Sequence, residues 1–147
     1  YSGDNGMKII IILILLFIFI GSRSQAKVIR KAYTDEQAIR AVVGEASGEG
    51  YYGMKLVASA IRNRGHLRGV YGFSAQHIKH ENKDTWKLAR HAWYSSANEN
   101  IARGADCWYS QEDLDNLPQG VPSDRKFLFQ YKNHYFYKLT KNKRRKT

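Results

Sequence analysis

The chain has 147 residues, the size of one folded domain, and a second core would have too little chain of its own to bury. Hydrophobic residues make up 43% and aromatic ones 13%, enough apolar surface to exclude disorder throughout, and 2 Pro with 12 Gly exclude a collagenous chain. Lys and Arg number 24 against 13 Asp and Glu, a net charge of +11, while the single cysteine, Cys107, excludes an intrachain disulfide and a Cys-rich zinc site.

Residues 1–6 precede Met7 and read as an upstream extension of the reading frame. Ile9 to Ile20 is an unbroken apolar run of twelve, with Lys8 before it and Ser24-Gln25-Ala26 after it. A positive start, a short apolar stretch and small residues at the end make 7–26 a secretory signal peptide, with cleavage after Ala26. The alternative is a membrane anchor, but spanning the hydrocarbon takes about 20 apolar residues, so no stable span is expected after processing. The protein is therefore expected to be exported to the cell envelope or beyond. Processing leaves 121 residues with a net charge of +10, a field that concentrates wall polymers, anionic lipid surfaces and shed nucleic acid alike.

Residues 27–34 read as a linker. Thr34 with Gln37 fits a capping box, and Ile39, Val42, Val43 and Ala46 follow on one helical face, which gives a helix from about Asp35 to Ser47. Gly48-Glu49-Gly50 interrupts it. Met54, Val57, Ala58 and Ile61 restart the pattern, and Gly65 ends it in a left-handed cap. After an irregular stretch from His66 to Ser74, a third helix is expected over Asp84 to Ser95, capped by Asn82 or Asp84, with Trp86, Ala89 and Trp93 on one side. Ala105 to Tyr109 reads as a strand. Phe127 to Tyr131 and Tyr135 to Leu139 read as two more around Lys132-Asn133-His134. Helices first and strands afterwards give an α+β fold, a mainly helical body with a small late antiparallel sheet. No internal repeat is present. The domain is expected to span 35–139 and to be followed by a basic tail over 140–147. Lys138, Lys141, Lys143, Arg144, Arg145 and Lys146 crowd the last ten residues, and such an end adds unspecific attraction to anionic wall polymers.

The most unusual segment is Gly44-Glu45-Ala46-Ser47-Gly48-Glu49-Gly50, where carboxylates sit among residues with almost no side chain and a bulky polymer can approach them. Glu45 can be an acid at the end of an apolar helix, or a solvated last-turn residue beside a turn. Ala41-Val42-Val43-Gly44-Glu45-Ala46-Ser47-Gly48-Glu49 resembles the E-A-x-G-E signature of the bacterial cell-wall hydrolases related to the spore-cortex-lytic enzymes, the SleB and CwlJ family. Gly53 to Arg64 resembles the helix that follows it, Gly104-Ala105 before Cys107-Trp108-Tyr109 its G-A-x-x-[FY] strand, and Asn133-His134-Tyr135-Phe136-Tyr137 its closing N-H-x-F-Y. Four segments in order span about Asp35 to Leu139. The sequence departs from the family pattern where Gly72 precedes Phe73-Ser74, a place commonly held by Gln, and at Gly65-His66.

The resemblance implies a lysozyme-like helical fold and cleavage of peptidoglycan glycan strands, with Glu45 as the acid; the protein is expected to be a monomer that needs no cofactor and no metal. Two-carboxylate glycosidases flank one bond with groups about 5–10 Å apart. Glu45 and Glu49, four residues apart on a helix, would project from one side instead, which favours a lytic transglycosylase. There the substrate's own 6-hydroxyl attacks, and Glu45 protonates the leaving oxygen and then takes the hydroxyl proton. Glu49 would either orient Glu45 or be a capping or solvated carboxylate. Phe73, Ser74, Tyr109, His134 and Tyr137 are the supporting or substrate-binding candidates. Tyr109, Tyr131, Tyr135 and Tyr137 can stack on sugar rings or simply pack the core, as Trp86 and Trp93 are expected to do. Arg62 and Arg64 suit the end of a helix, and Cys107 reads as a small buried residue. Two other functions compete. A zinc N-acetylmuramoyl-L-alanine amidase would have to draw on His66, His77, His80, His91 and His134, of which only His77-x-x-His80 with Glu81 form a cluster. A nonenzymatic module would use its charge to hold wall polymers or nucleic acid, although no specific nucleic-acid motif is present.

Overall fold

The computed structural model describes residues 32–140; the apolar run, the proposed cleavage site and the cations beyond Thr140 lie outside the described residues. Helix α1 spans Asp35–Ala46. Its capping box is formed as expected: the Thr34 hydroxyl accepts from the Gln37 N–H at 3.2 Å, and the Gln37 amide oxygen accepts from the Thr34 N–H at 2.9 Å. Six of its residues, Ala38, Ile39, Ala41, Val42, Val43 and Ala46, are buried, because other elements cover most of its circumference. Ala46 leaves helical geometry at φ −140° and ψ 21°, a short 3-10 turn follows over Ser47–Glu49, and Gly50 at φ 72° opens helix α2, Gly50–Arg64. Gly65 closes α2 in the left-handed region, its N–H donating to the Ile61 carbonyl.

Helix α3 spans Lys83–Ser95 and starts from Asn82, whose side chain accepts from the Thr85 N–H. It lies against α1 and α2 through Ala89, Ala92 and Trp93. Arg62 clamps this junction. Its guanidinium sits 3.8 Å over the Trp93 ring and donates to the Trp93 carbonyl and the Ser96 hydroxyl, more than the helix-end role expected of it. Trp86 is half-buried against the same core. Fully burying each of Ile39, Met54, Leu56 and Ile61 stabilises the fold by roughly 1.5–3 kcal/mol.

The chain then returns through Asn100, whose side-chain oxygen accepts from Ser59, Asn63 and the Gly104 N–H, while Asn63 also donates to the Ala105 carbonyl. These bonds from α2 fix where strand β1, Cys107–Ser110, begins. A five-residue helix α4, Gln111–Asp115, follows with its own Ser110–Asp113 capping box. Strands β2, Arg125–Tyr131, and β3, His134–Leu139, complete an antiparallel sheet in the order β1-β3-β2. The fold is α+β. His134 opens β3 rather than sitting in the turn, which consists of Lys132, in the left-handed region at φ 48°, and Asn133. A bulge between Phe127 and Phe129 lets Phe129 stack on buried Phe136 at 4.8 Å. Thr140 is tied to the Asp124 carbonyl through both its N–H and its hydroxyl. No helix among the described residues is long and apolar enough to cross a membrane.

Candidate active site

Glu45 stands in the last turn of α1, half-buried, at a point where backbone from a distant turn comes against the helix. That turn is Gly72–Ser74. A side chain at Gly44 would overlap the Gly72 carbonyl, so glycine at both positions permits the approach. The Gly72 N–H donates to Glu45 Oε1 at 2.5 Å, and the indole Nε1–H of Trp108 on β1 donates to Oε2 at 2.9 Å. Each carboxyl oxygen is thus aimed by one N–H group, and each retains a further lone-pair position for a proton or a substrate hydroxyl. A carboxyl held at both ends by backbone and a packed indole is preorganised.

The cleft beside it has a volume of about 770 Å³. Gly44, Glu45 and Gly72 line it together with Tyr71, Trp108 and Tyr109, and α4 with the residues after it adds Asp113, Asn116 and Leu117. Arg64 and His134 also line it. Tyr71 is 83% exposed, an unusual position for an aromatic ring and one from which it can stack on a flat apolar ligand face. The second carboxylate on this wall, Asp113, spends Oδ2 on both the N–H and the hydroxyl of Ser110.

The expected residues separate into four groups. Glu45, Tyr109 and His134 share the cleft. Tyr137 does not line it; it is buried behind Tyr109, the rings meeting edge to face at 5.5 Å, and burial pushes its phenol above the usual value. Phe73 and Ser74 are not in the cleft either. Their 3-10 turn gives the cleft only its Gly72 end, and their side chains line a separate hollow of about 500 Å³ with Arg40, whose Nε–H donates to the Phe73 carbonyl. Glu49 also departs from expectation. Because the helix ends at Ala46, Glu49 does not project beside Glu45 from one helical face, and it is neither solvated nor a side-chain cap. It is 9% exposed, with Oε1 lying 3.5 Å from His134 Nδ1.

Gly72, Trp108, Tyr71 and Asp113 are the residues of this site that sequence reasoning did not single out. Trp108 had a signal, since it lies in a motif-bearing strand one position before Tyr109. Gly72 had none beyond being the point where the family pattern was broken. Among the described residues, no three His, Cys, Asp or Glu side chains gather into a metal-binding group, and His77 and His80 are exposed. Compared with protein-family models, curated proteins and solved structures, the chain has no match.

Proposed function

We propose that the protein is an exported cell-wall hydrolase that cuts the glycan strand of peptidoglycan as a lytic transglycosylase, with a lysozyme-like domain of the SleB and CwlJ type and Glu45 as its acid. The observation that carries this reading is Glu45 itself, held by Gly72 and Trp108 in an open cleft bordered by the aromatic rings of Tyr71, Trp108 and Tyr109. Sugar rings have apolar faces that stack on such rings and hydroxyls that meet the polar groups between them. The E-A-x-G-E-like segment that contains Glu45 adds the resemblance on which the family assignment rests.

In the reaction, the bond from C1 of N-acetylmuramic acid to the oxygen of the next sugar breaks, and the Glu45 proton goes to that leaving oxygen. The muramic 6-hydroxyl oxygen forms the new bond to C1, closing a 1,6-anhydro ring, and its proton passes to a base in the cleft, either the carboxylate that Glu45 has become or a neighbouring side chain. Asp113, the other carboxylate on the cleft wall, has Oδ2 tied to Ser110 in the cap of α4, whereas Glu45 has both of its oxygens aimed by N–H groups. The test is clearing of purified walls by the wild type and by Glu45→Gln, a nearly isosteric change. Loss of a general acid costs about 100-fold to 10,000-fold, and equal clearing by the two proteins would overturn the proposal.

A further inference from the structure

We infer that His134, held by the carboxylate of Glu49, is the base that takes the proton from the attacking hydroxyl in the Glu45 cleft. The chemistry of the inference rests on the glycan-cleaving reading above; the pairing of the two side chains does not. Glu49 is a buried carboxylate whose Oε2 has no hydrogen-bond partner among the described residues, and burying such a group costs several kcal/mol unless something compensates it. The chain is shaped to put it there. The helix break at Ala46 and the positive φ of Gly50 turn Glu49 inward, and Gly53 lacks the Cβ that would overlap the Glu49 side chain.

What Glu49 faces is His134 Nδ1, 3.5 Å from Oε1, on a residue only 8% exposed that also lines the Glu45 cleft. At 3.5 Å the two groups approach as an ion pair would, without a formed hydrogen bond, and catalytic hydrogen bonds commonly tighten only when substrate is bound. A carboxylate next to Nδ1 favours the tautomer with its proton there, and the other ring nitrogen, Nε2, is then the acceptor. The charged and titratable groups around the pair are few. Lys132 Nζ donates to the Glu49 carbonyl at 2.8 Å, Tyr131 lies opposite His134 in the β2–β3 register, and the cleft adds Glu45, Arg64, Tyr71, Tyr109 and Asp113.

The step balances. The hydroxyl O–H bond breaks and its proton goes to His134 Nε2; the oxygen bonds to C1; the C1–O bond breaks and the leaving oxygen takes the Glu45 proton. His134 then returns its proton, and Glu45 regains one, through solvent. Glu45 need not serve as both acid and base, the double role that a single carboxyl would otherwise have to fill. His134 is the catalytic group in this scheme and Glu49 a positioning residue.

The experiment combines nitrogen NMR of histidine-labelled wild-type protein at alkaline pH with steady-state kinetics on soluble glycan fragments. The neutral His134 ring should carry its proton on Nδ1, and a ring protonated on Nε2 would overturn the inference without any variant being made. His134→Gln should lower kcat about 100-fold to 10,000-fold with little change in KM. Glu49→Leu, which removes the acceptor, should lower kcat and lose the Nδ1 tautomer, whereas Glu49→Gln, whose amide oxygen still accepts, should recover much of both. A folded His134→Gln protein with wild-type kcat, beside an inactive Glu45→Gln, would overturn the inference while leaving the glycan-cleaving reading in place. A wild type that cuts no glycan would overturn that reading and the base assignment together, and the NMR would still report whether Glu49 holds His134.

Discussion

Replacing Gly72 with alanine should damage stability and catalysis together, because the missing side chain is what lets the Gly72 turn reach Glu45. A Cβ built there would lie 2.5 Å from Glu45 Cγ, 2.6 Å from the Glu45 backbone nitrogen and 2.7 Å from Oε1. The first of these falls about 0.9 Å short of the 3.4 Å at which ordinary contact begins. The carboxyl could swing aside, but the backbone nitrogen belongs to α1 and moves only with the helix, which is itself pressed against Gly72 at Gly44. Overpacking of this kind costs about 1–3 kcal/mol, and a domain of this size should melt several degrees lower. Displacing the acid by about 1 Å can cost on the order of 100-fold in rate. Thermal melting followed by circular dichroism and kcat on soluble fragments measure the two effects. Gly48→Ala is the control, since nothing lies within 4 Å of a Cβ there and both quantities should hold. A Gly72→Ala protein that melts and turns over like the wild type would refute the close approach on which the site is built.

Trp108→Phe keeps an aromatic ring but removes the N–H that aims Glu45 Oε2; a hydrogen bond to the charge that develops on Glu45 as its proton leaves is worth about 1.5–3 kcal/mol, so kcat should fall at least about 10-fold with KM nearly unchanged, as steady-state kinetics would show. Burial pushes the Cys107 thiol up to about 11, against 9.0 when it is unfolded and exposed. Because the native state then holds this proton more tightly than the unfolded one, its contribution to stability is fully present below pH about 9 and is lost as pH rises toward 11; denaturant midpoints measured across that range should fall, and less so in Cys107→Ala. At neutral pH the native thiol should resist alkylation and react freely once the protein is unfolded. Deleting residues 141–147, and keeping the Thr140 bonds to Asp124, should weaken sedimentation with whole walls at low salt but not at high salt, since such attraction is screened over about 8 Å at physiological ionic strength. Cleavage of short soluble fragments by the truncated protein should be unchanged.

The parts of the fold that were legible in the sequence are those fixed by local chemistry. Thr34 with Gln37, Asn82 before α3 and Gly65 after α2 each act on backbone groups within one turn, and all three do so in the structure. Helix α4 escaped notice although Ser110 and Asp113 carry the same capping pattern, because no apolar stripe follows them to announce a helix. Glu49 falls beside Glu45 only if the 3.6-residue period runs on past Ser47, whereas the break at Ala46 turns it inward; Gly48 and Gly50 mark that break in the sequence, and Gly53 leaves room for the side chain. Phe73 and Ser74 follow the one residue of their turn that reaches the cleft, Gly72, and it meets Glu45 with a backbone N–H that no residue type encodes. The contacts that define Glu45 bridge 27 and 63 residues of sequence, a distance at which periodicity carries no information.

The central claim is that Glu45 drives cleavage of a glycan bond, and mass spectrometry of purified peptidoglycan digested by the wild type and by Glu45→Gln tests it most directly. The account predicts fragments ending in 1,6-anhydro-muramic acid, lighter by one water than hydrolysed ends, with stem peptides still attached and with their yield collapsing in Glu45→Gln. Free stem peptides released from intact glycan strands, or the same fragments made equally well by Glu45→Gln, would contradict it.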